Sequence, residues 1–429
     1  MSLFPLERAL RGFITHGHLT VIDTDGQTSS FGQGEPAVTI RIRDPGFKWR
    51  LLRRPSIEGA DGYVDEAFSI EAGTLRDYLE IVLVSQERML ETSPLAAVQQ
   101  RIGNALRRRN TFARSSRNVR HHYDIDQRLY DLFLDEDLQY SCAYWRDGVT
   151  SLEDAQRDKR RHVARKLLLQ PGMRVVELGC GWGGLALHLA REHGVHVTAY
   201  TLSHDQHATA VRRAAEAGLA DRVTFKLEDY RNAAGPYDRV VSVGMLEHIG
   251  LHSLPEFFRK LSALLAPDGI AVVHSICRAG RPGGVNPWIQ RYVFPGAYLP
   301  SLSQLAPLIE RNGLWLTDFE SLRIHYAKTL AAWDERFQAR RAEISGRFDE
   351  RFCRMWEFYL QSCEVTFLHR KQVVFHLQMA KAIDTVPITR DYMYAPYHEA
   401  TPAMTSMAAS GMVEPGRRRT AKPQAETGR

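Results

Sequence analysis

The chain has 429 residues, 44% hydrophobic and 25% charged, which excludes a disordered or fibrous protein and leaves room for more than one domain. Its formal net charge of +6 suits phosphate-bearing partners, lipid headgroups and nucleic acid alike, and does not choose between them. Neither a secretory leader nor an apolar run near the roughly 20 residues that span a bilayer is expected.

Residues 1–100 read as a small α+β domain. Val38 to Arg43 alternates at period two, as a half-buried strand does. Asp25-Gly26 fits a hairpin turn, and Thr74 with Asp77 resembles a capping box before Leu75–Leu83. No catalytic constellation is visible there. Residues 101–120 hold seven arginines and no acid, either a solvated basic linker or a patch for phosphate. His121 and His122 lack partners at metal-ligand spacing, and no metal site is expected. Ile125, Leu129, Leu132 and Phe133 recur at helical spacing, giving an amphipathic segment suited to lipid anchoring or to covering a site. A helix over Leu152–Leu168 should end at Pro171-Gly172. Strands are then expected at 173–178, 195–201, 222–227, 238–244 and 269–276, alternating with helices at 185–193, 204–217 and 254–265. A last strand is expected over Gln372–Met379. Such alternation means βαβ units with helices on both faces of a parallel sheet. Residues 399–429 lack periodicity and read as a disordered tail. The five cysteines are scattered and never C-x-x-C, as expected of reduced thiols in a cytosol.

Chemistry concentrates at the carboxyl ends of those strands, where open α/β sheets bind ligands. Arg174 to Gly184 is a strand running into a glycine loop and a helix. Gly179, Gly181 and Gly184 formally satisfy a dinucleotide fingerprint. Two features oppose NAD. Glu177 precedes the loop, where a carboxylate meets a ligand ammonium, and the next strand ends in Thr201-Leu-Ser without the acid that would hold a ribose. Glu-x-Gly-x-Gly-x-Gly, with Gly179, Gly181 and Gly183, is the loop of S-adenosylmethionine methyltransferases. Thr201 and Gln206 then serve the ribose, Asp229 the adenine amino group and Tyr230 the ring face. Bland readings stand beside these: Asp229 as a turn acid, Tyr230 as a packing aromatic, Cys180 as loop filler. Glu247 and His248 together at a strand end point to site chemistry, although His248 also suits a bracing role. The expected fold is α/β, a doubly wound, mainly parallel seven-stranded sheet of the Rossmann-like class I methyltransferase type, over residues 121–398.

Seven blocks occur in order: His122-Tyr-Asp-Ile-Asp, Tyr140-Ser-Cys-Ala-Tyr-Trp, Glu177-Leu-Gly-Cys-Gly-Trp-Gly-Gly, Thr201-Leu-Ser-x-x-Gln, Val241 to Gly250, Phe294-Pro-Gly-x-Tyr-Leu-Pro-Ser and His325-Tyr-Ala-Lys-Thr-Leu. Together they resemble the cyclopropane-fatty-acyl-phospholipid synthases and mycolic acid cyclopropane synthases over roughly residues 120–395. Residues 1–100 resemble the N-terminal extension of the phospholipid enzymes only loosely, with lipid binding as the role implied. Ala297 departs from the pattern, in which a second glycine is common.

The resemblance implies S-adenosylmethionine as methyl donor and a bound bicarbonate as base. The double bond of an unsaturated phospholipid chain attacks the sulfonium methyl, and the carbocation closes to a cyclopropane on losing a proton. Cys142, Glu247, His274, Ile276 and Tyr326 match the bicarbonate positions. Glu247 is implied to accept from the bicarbonate hydroxyl, with His274, Tyr326 and backbone N–H groups near Cys142 and Ile276 donating. Tyr140, Ser141, Gly179, Thr201, Gln206, Asp229 and Tyr230 match the cofactor positions. The implied partners are phospholipid at the inner membrane face, approached from the cytoplasm, and a second copy in a homodimer. Two other products share these motifs, a methyl branch and a methylene. A nucleic-acid methyltransferase is disfavoured, because Met-Leu-Glu-His stands where amino-group methylases carry Asn/Asp-Pro-Pro-aromatic.

Overall fold

The computed structural model describes residues 4–92 and 127–394. The arginine-rich stretch with Arg107, Arg108 and Arg109, the pair His121 and His122, Ile125 and the tail from 399 lie outside those residues.

A four-stranded sheet orders β2-β1-β3-β4, with β1 His18–Ile22, β2 Thr28–Gly32, β3 Ala37–Ile42 and β4 Phe68–Ala72. Gly26, at φ +85°, lies in the β1–β2 turn, a left-handed backbone that glycine adopts without steric cost. Val38, Ile40 and Ile42 are the buried face of β3. Helix Leu75–Thr92 opens on reciprocal bonds: the Thr74 N–H donates to Asp77 Oδ2 (2.9 Å) and the Asp77 N–H to Thr74 Oγ1 (3.1 Å).

The second sheet has seven strands ordered β10-β11-β9-β8-β5-β6-β7. They are β5 Arg174–Leu178, β6 His196–Thr201, β7 Val223–Leu227, β8 Tyr237–Val243, β9 Leu265–Arg278, β10 Trp315–Ser321 and β11 Gln372–Ala380. β5 to β9 pair in parallel, whereas β11 runs antiparallel to β9 and β10 antiparallel to β11. The chain goes from β5 outward to β6 and β7, then returns to β8 on the other flank of β5. The crevice between β5 and β8 is therefore the topological switch point where such sheets bind ligands. β10 is the strand that alternation does not reveal. Its Asp318 and Glu320 face inward while Trp315 is 52% exposed, the reverse of a usual hydrophobic pattern, at a sheet edge where inward charges also block further pairing.

The two expected domains share one core. Phe68 of the small sheet and Tyr78 and Leu79 of the helix packed on it belong to the same buried cluster as Trp356, Phe358 and Phe367. Helix Glu350–His369, of which the last three are part, closes the contact. Arg76 spans it, donating to Asp334 (2.7 Å) and Glu364 (2.8 Å). Of the two tasks expected for the amphipathic segment, lipid anchoring and covering a site, its described part serves the site. Helix Gln127–Phe133 buries Leu129, Tyr130 and Phe133 completely, with Tyr130 against Tyr140 and Trp182 at ring separations of 5.1 Å. Those side chains support the wall of the site and are not available to a membrane. Among the described residues, no helix is long and apolar enough to cross one.

Candidate active site

Two cavities meet at the switch point. The first, about 230 Å³, lies over the β5 loop, and Glu177, Gly179, Gly181, Thr201, Gln206, Asp229 and Tyr230 all line it, with Tyr140 and Ser141. Gly183 does not. At φ +82°, it lies where a Cβ would come within 2.6 Å of the Phe225 ring, so this glycine permits helix-to-sheet packing. Gly181, at φ +52°, has nothing within 4 Å of its would-be Cβ and faces open space.

Glu177 is the fully buried acid of this cavity. It is 2% exposed, and its Oε2 has no hydrogen-bond partner among the described residues. Burial pushes its carboxyl up to about 8, against the pull of Lys159. An orphaned carboxyl oxygen in a dry wall is complementary to an ammonium group, whose charge would favour the ionised form. Thr201 Oγ1 donates to Gln206 Oε1 (3.1 Å) and accepts the Ser203 N–H (3.2 Å), which fixes the polar rim beside β6. Asp229 is less free than its position suggests. Its Oδ1 accepts from the Arg231 N–H (3.0 Å) and Nε (2.8 Å), and its Oδ2 from Arg231 Nη2. A ligand amino group there would share a carboxylate already paired. Tyr230 lies edge-on to Phe257 at 5.8 Å and contributes its ring to the wall.

Lys159, unmarked by any motif, ties the site together. It is fully buried on helix Leu152–Leu167 and donates to Gln139 Oε1 (2.6 Å) and Ser141 Oγ (2.8 Å). Burial lowers its ammonium to about 8, opposed by Asp135, Cys142 and Glu177. That helix also buries Gln156, His162 and Lys166, a polar face turned inward. Composition alone makes such a helix read as a surface one.

The second cavity, about 770 Å³ and mostly apolar, starts at Glu247, His274, Ile276, Tyr326 and Cys142, and runs on into the small sheet past Leu19, Ile40 and Phe47. Tyr140, Ser141, Gly244, His248 and Ala297 line both cavities. Glu247 sits on the turn after β8. Its Oε2 accepts from Ser275 Oγ (2.6 Å) and its Oε1 from the Ile276 N–H (3.4 Å). Burial raises its carboxyl to about 7, against the Ser275 hydrogen bond. His248, which packs on Phe294 at 5.5 Å, is lowered to about 4 by burial and is therefore neutral at physiological pH.

Cys142 is completely buried, and burial pushes its thiol well above the ordinary cysteine value, so it is a neutral thiol and not a nucleophile. Cys142→Ser should accordingly lower the initial rate by at most about tenfold, measured with saturating substrates. A larger loss would give the sulfur a direct role.

These observations can be set beside known proteins. The family described as mycolic acid cyclopropane synthetase matches residues 110–377, more than half of the chain. The chain belongs to the mycolic acid cyclopropane synthetase family. As a member of that family it is a methyltransferase, and its seven-stranded sheet is the class I S-adenosylmethionine methyltransferase fold. A probable fatty acid methyltransferase of Pseudomonas putida is 34% identical over 382 residues, 86% of this chain and 94% of that protein. The cyclopropane-fatty-acyl-phospholipid synthase of Escherichia coli K12 is 36% identical over 352 residues, 80% and 88% of the two chains. The solved mycolic acid cyclopropane synthase CmaA1, complexed with SAH and CTAB, superposes with a TM-score of 0.59 at 30% identity. It covers 62% of this family member and 98% of its own chain.

Proposed function

We propose that the chain transfers a methylene from S-adenosylmethionine to the cis double bond of an unsaturated phospholipid acyl chain, forming a cyclopropane. The observation that carries this reading is the junction of two unlike cavities. One holds an orphaned carboxylate oxygen suited to the ammonium of the methyl donor. The other is a long apolar cavity suited to an acyl chain. The shared lining of Tyr140, Gly244 and His248 is where sulfonium and alkene would come together.

An alkene has no proton to lose before it attacks, so the first step needs positioning and not a base. The difficulty follows, since the cation must be kept from water and deprotonated at one carbon. An apolar pocket with a fixed proton acceptor meets both demands. Glu247, Tyr326 and the Ile276 N–H form a donor and acceptor set that fits a small planar anion such as bicarbonate, which when bound supplies a base. Because Glu247 is raised to about 7, it shares a proton with such an anion instead of repelling it.

The polar end of the substrate would remain at the surface of the bilayer, with the enzyme peripheral to it. A second reading, a methyl-branched or methylene product, is favoured by the name of the Pseudomonas relative. One experiment tests both. The full chain is incubated with S-adenosylmethionine and vesicles of unsaturated phospholipid, and the lipids are analysed by mass spectrometry. A gain of one CH2 without an exocyclic methylene is expected. Because a methylene product is an isomer of the cyclopropane, proton NMR of the lipid separates the two: exocyclic methylene signals would establish the second reading. A product two hydrogens heavier after adding a hydride donor such as a reduced nicotinamide would establish the branch, and unchanged lipid would overturn the proposal.

A further inference from the structure

The larger cavity is not apolar throughout. Alternate residues of β9 share a sheet face, and His274, Ile276 and Arg278 all line it. The strand thus carries the wall from the Glu247 site, which receives the Ile276 N–H, to an arginine whose Cα stands about 6.6 Å further along. Arg370, just past helix Glu350–His369, lines the same cavity. Both arginines turn to Glu87 on helix Leu75–Thr92. Arg370 Nη2 lies 2.8 Å from Glu87 Oε2, and Arg278 Nη2 lies 3.9 Å from Oε1. Arg370 Nη1 also donates to Gln86 Oε1 (3.0 Å).

We propose that Arg278 and Arg370 form a subsite for the phosphate diester of the lipid substrate at the rim of the apolar cavity. The charges do not balance on their own. Two guanidiniums face one carboxylate, and the next acid along the helix, Glu91, is taken up by Lys371 (2.7 Å). A tie between helix Leu75–Thr92 and the end of the large sheet needs only one cation, which Arg370 supplies. Arg278 is left over. Its 3.9 Å contact is beyond hydrogen-bond length, and its side chain makes no hydrogen bond among the described residues. Burial lowers it from the ordinary arginine value, with Glu87 opposing and Arg370 adding to the effect. An arginine cannot escape such a setting by losing its proton. A singly charged phosphate diester brings the sum of charges to zero and offers oxygens that match the guanidinium fork.

The backbone fixes where that fork stands. The Arg278 N–H donates to the Pro300 carbonyl (2.9 Å) and the Ala279 N–H to the Lys371 carbonyl (2.8 Å). Gly283 comes so close that a Cβ there would lie 3.0 Å from Arg278 Nε, so the loop after β9 covers one side of it. The side chains of Arg278 and Arg370 are still 25% and 14% exposed, whereas Leu19 and Phe47 at the small sheet are closed to solvent. The arginines therefore mark an end of the cavity that meets water.

This inference rests on the methylene transfer proposed above and adds no step to it. It gives the polar end of that substrate its partners, with the acyl chain running inward past Ile276. Arg278 thereby becomes a specificity-determining residue for lipids that carry a phosphate.

The test compares two saturated lipids that the enzyme cannot alter. Dioctanoyl phosphatidylglycerol and dioctanoylglycerol differ only in the headgroup, and each is titrated as a monomer into the full chain by calorimetry. The wild type should bind the phospholipid at least about tenfold more tightly, through charge-assisted bonds to its phosphate. Arg278→Gln should remove that preference without weakening dioctanoylglycerol, and Arg278→Lys, a charge without the fork, should restore part of it. Equal affinities of the wild type for the two lipids would overturn the subsite. So would an Arg278→Gln variant that loses both lipids alike, because the arginine would then belong to the frame. Inorganic phosphate separates the sources of the anion. It should compete with dioctanoyl phosphatidylglycerol and leave dioctanoylglycerol alone. Phosphate bound through Arg278 in a wild type without lipid preference would make this a site for the free ion and overturn the headgroup assignment. If unsaturated phospholipid is returned unmodified by the wild type, the methylene-transfer reading fails, and these affinities still decide the subsite.

Discussion

Glu247→Gln should abolish most turnover while making the protein more stable. The side chain is 5% exposed and receives the Ser275 hydroxyl at 2.6 Å, a contact that a glutamine carbonyl reproduces. What glutamine cannot do is ionise. With the group at about 7 in the folded chain and near the usual 4.3 when unfolded, the folded state is the tighter proton binder. The contribution of Glu247 to stability is full at low pH and declines as pH rises from about 4.3 through 7. A neutral amide removes that decline, so at pH 8 the variant should melt a few degrees above the wild type, with the gap closing by pH 4. Turnover should fall on the order of 10²-fold or more, because a group that handles a proton is lost. Affinity for S-adenosylhomocysteine, measured by calorimetry, should hardly move, since Glu247 lines only the apolar cavity. Wild-type kcat against pH should show a limb near 7 that the variant lacks. A variant with full activity, or one less stable than the wild type at pH 8, would contradict the assignment of Glu247.

Gly181→Val should eliminate S-adenosylhomocysteine binding, with an affinity loss of at least about 100-fold, roughly 2.7 kcal/mol. At φ +52° a β-branched residue is a backbone outlier, costing about 1–3 kcal/mol. Its methyl groups also project into the cavity where the ligand backs onto the loop. Gly183→Ala makes the necessary contrast. There the new methyl meets Phe225 at 2.6 Å, so the melting temperature should drop while the loop lining the cavity keeps its own residues. Calorimetric titration and thermal melts of the two variants separate the effects. Equal loss of binding in both would mean that the loop fails as a whole and that Gly181 has no special place at the ligand.

Features carried by local sequence were legible. The Arg174–Gly184 segment announces strand, turn and helix because glycine spacing and β-branched residues act within a few positions. Thr201, Gln206 and Glu247 could be nominated because all three lie at or within five residues of the carboxyl end of a strand. Gly183 marks the limit of such reading: spacing cannot tell a glycine that opens room for a ligand from one that makes room for Phe225. The segment containing Leu129 and Phe133 read equally as a lipid anchor or a cover for the site, since an amphipathic face does not say whether it meets lipid or protein. Lys159 was invisible because its partners Gln139 and Ser141 approach from a preceding loop. Arg278, Arg370 and Glu87 come together only in the fold, from a strand end, a helix end and the helix packed on the small sheet, and β10 itself escaped notice because its inward residues are acids.

The core shared by the small sheet and the seven-stranded sheet has a consequence for how the molecule comes apart. Tyr63 donates to Glu357 (2.9 Å), Trp288 Nε1 to Asp61 (2.9 Å), and Arg76 to two carboxylates across the same boundary. Losing the first 92 residues would uncover Phe358 and Phe367, remove Arg76 from Asp334 and Glu364, and leave the Trp288 Nε1–H without Asp61. The two sheets are therefore coupled cooperatively, each a condition of the other's folding, and the described residues should melt as a unit and not in two steps. The apolar cavity, with walls drawn from both, exists only while that unit is intact.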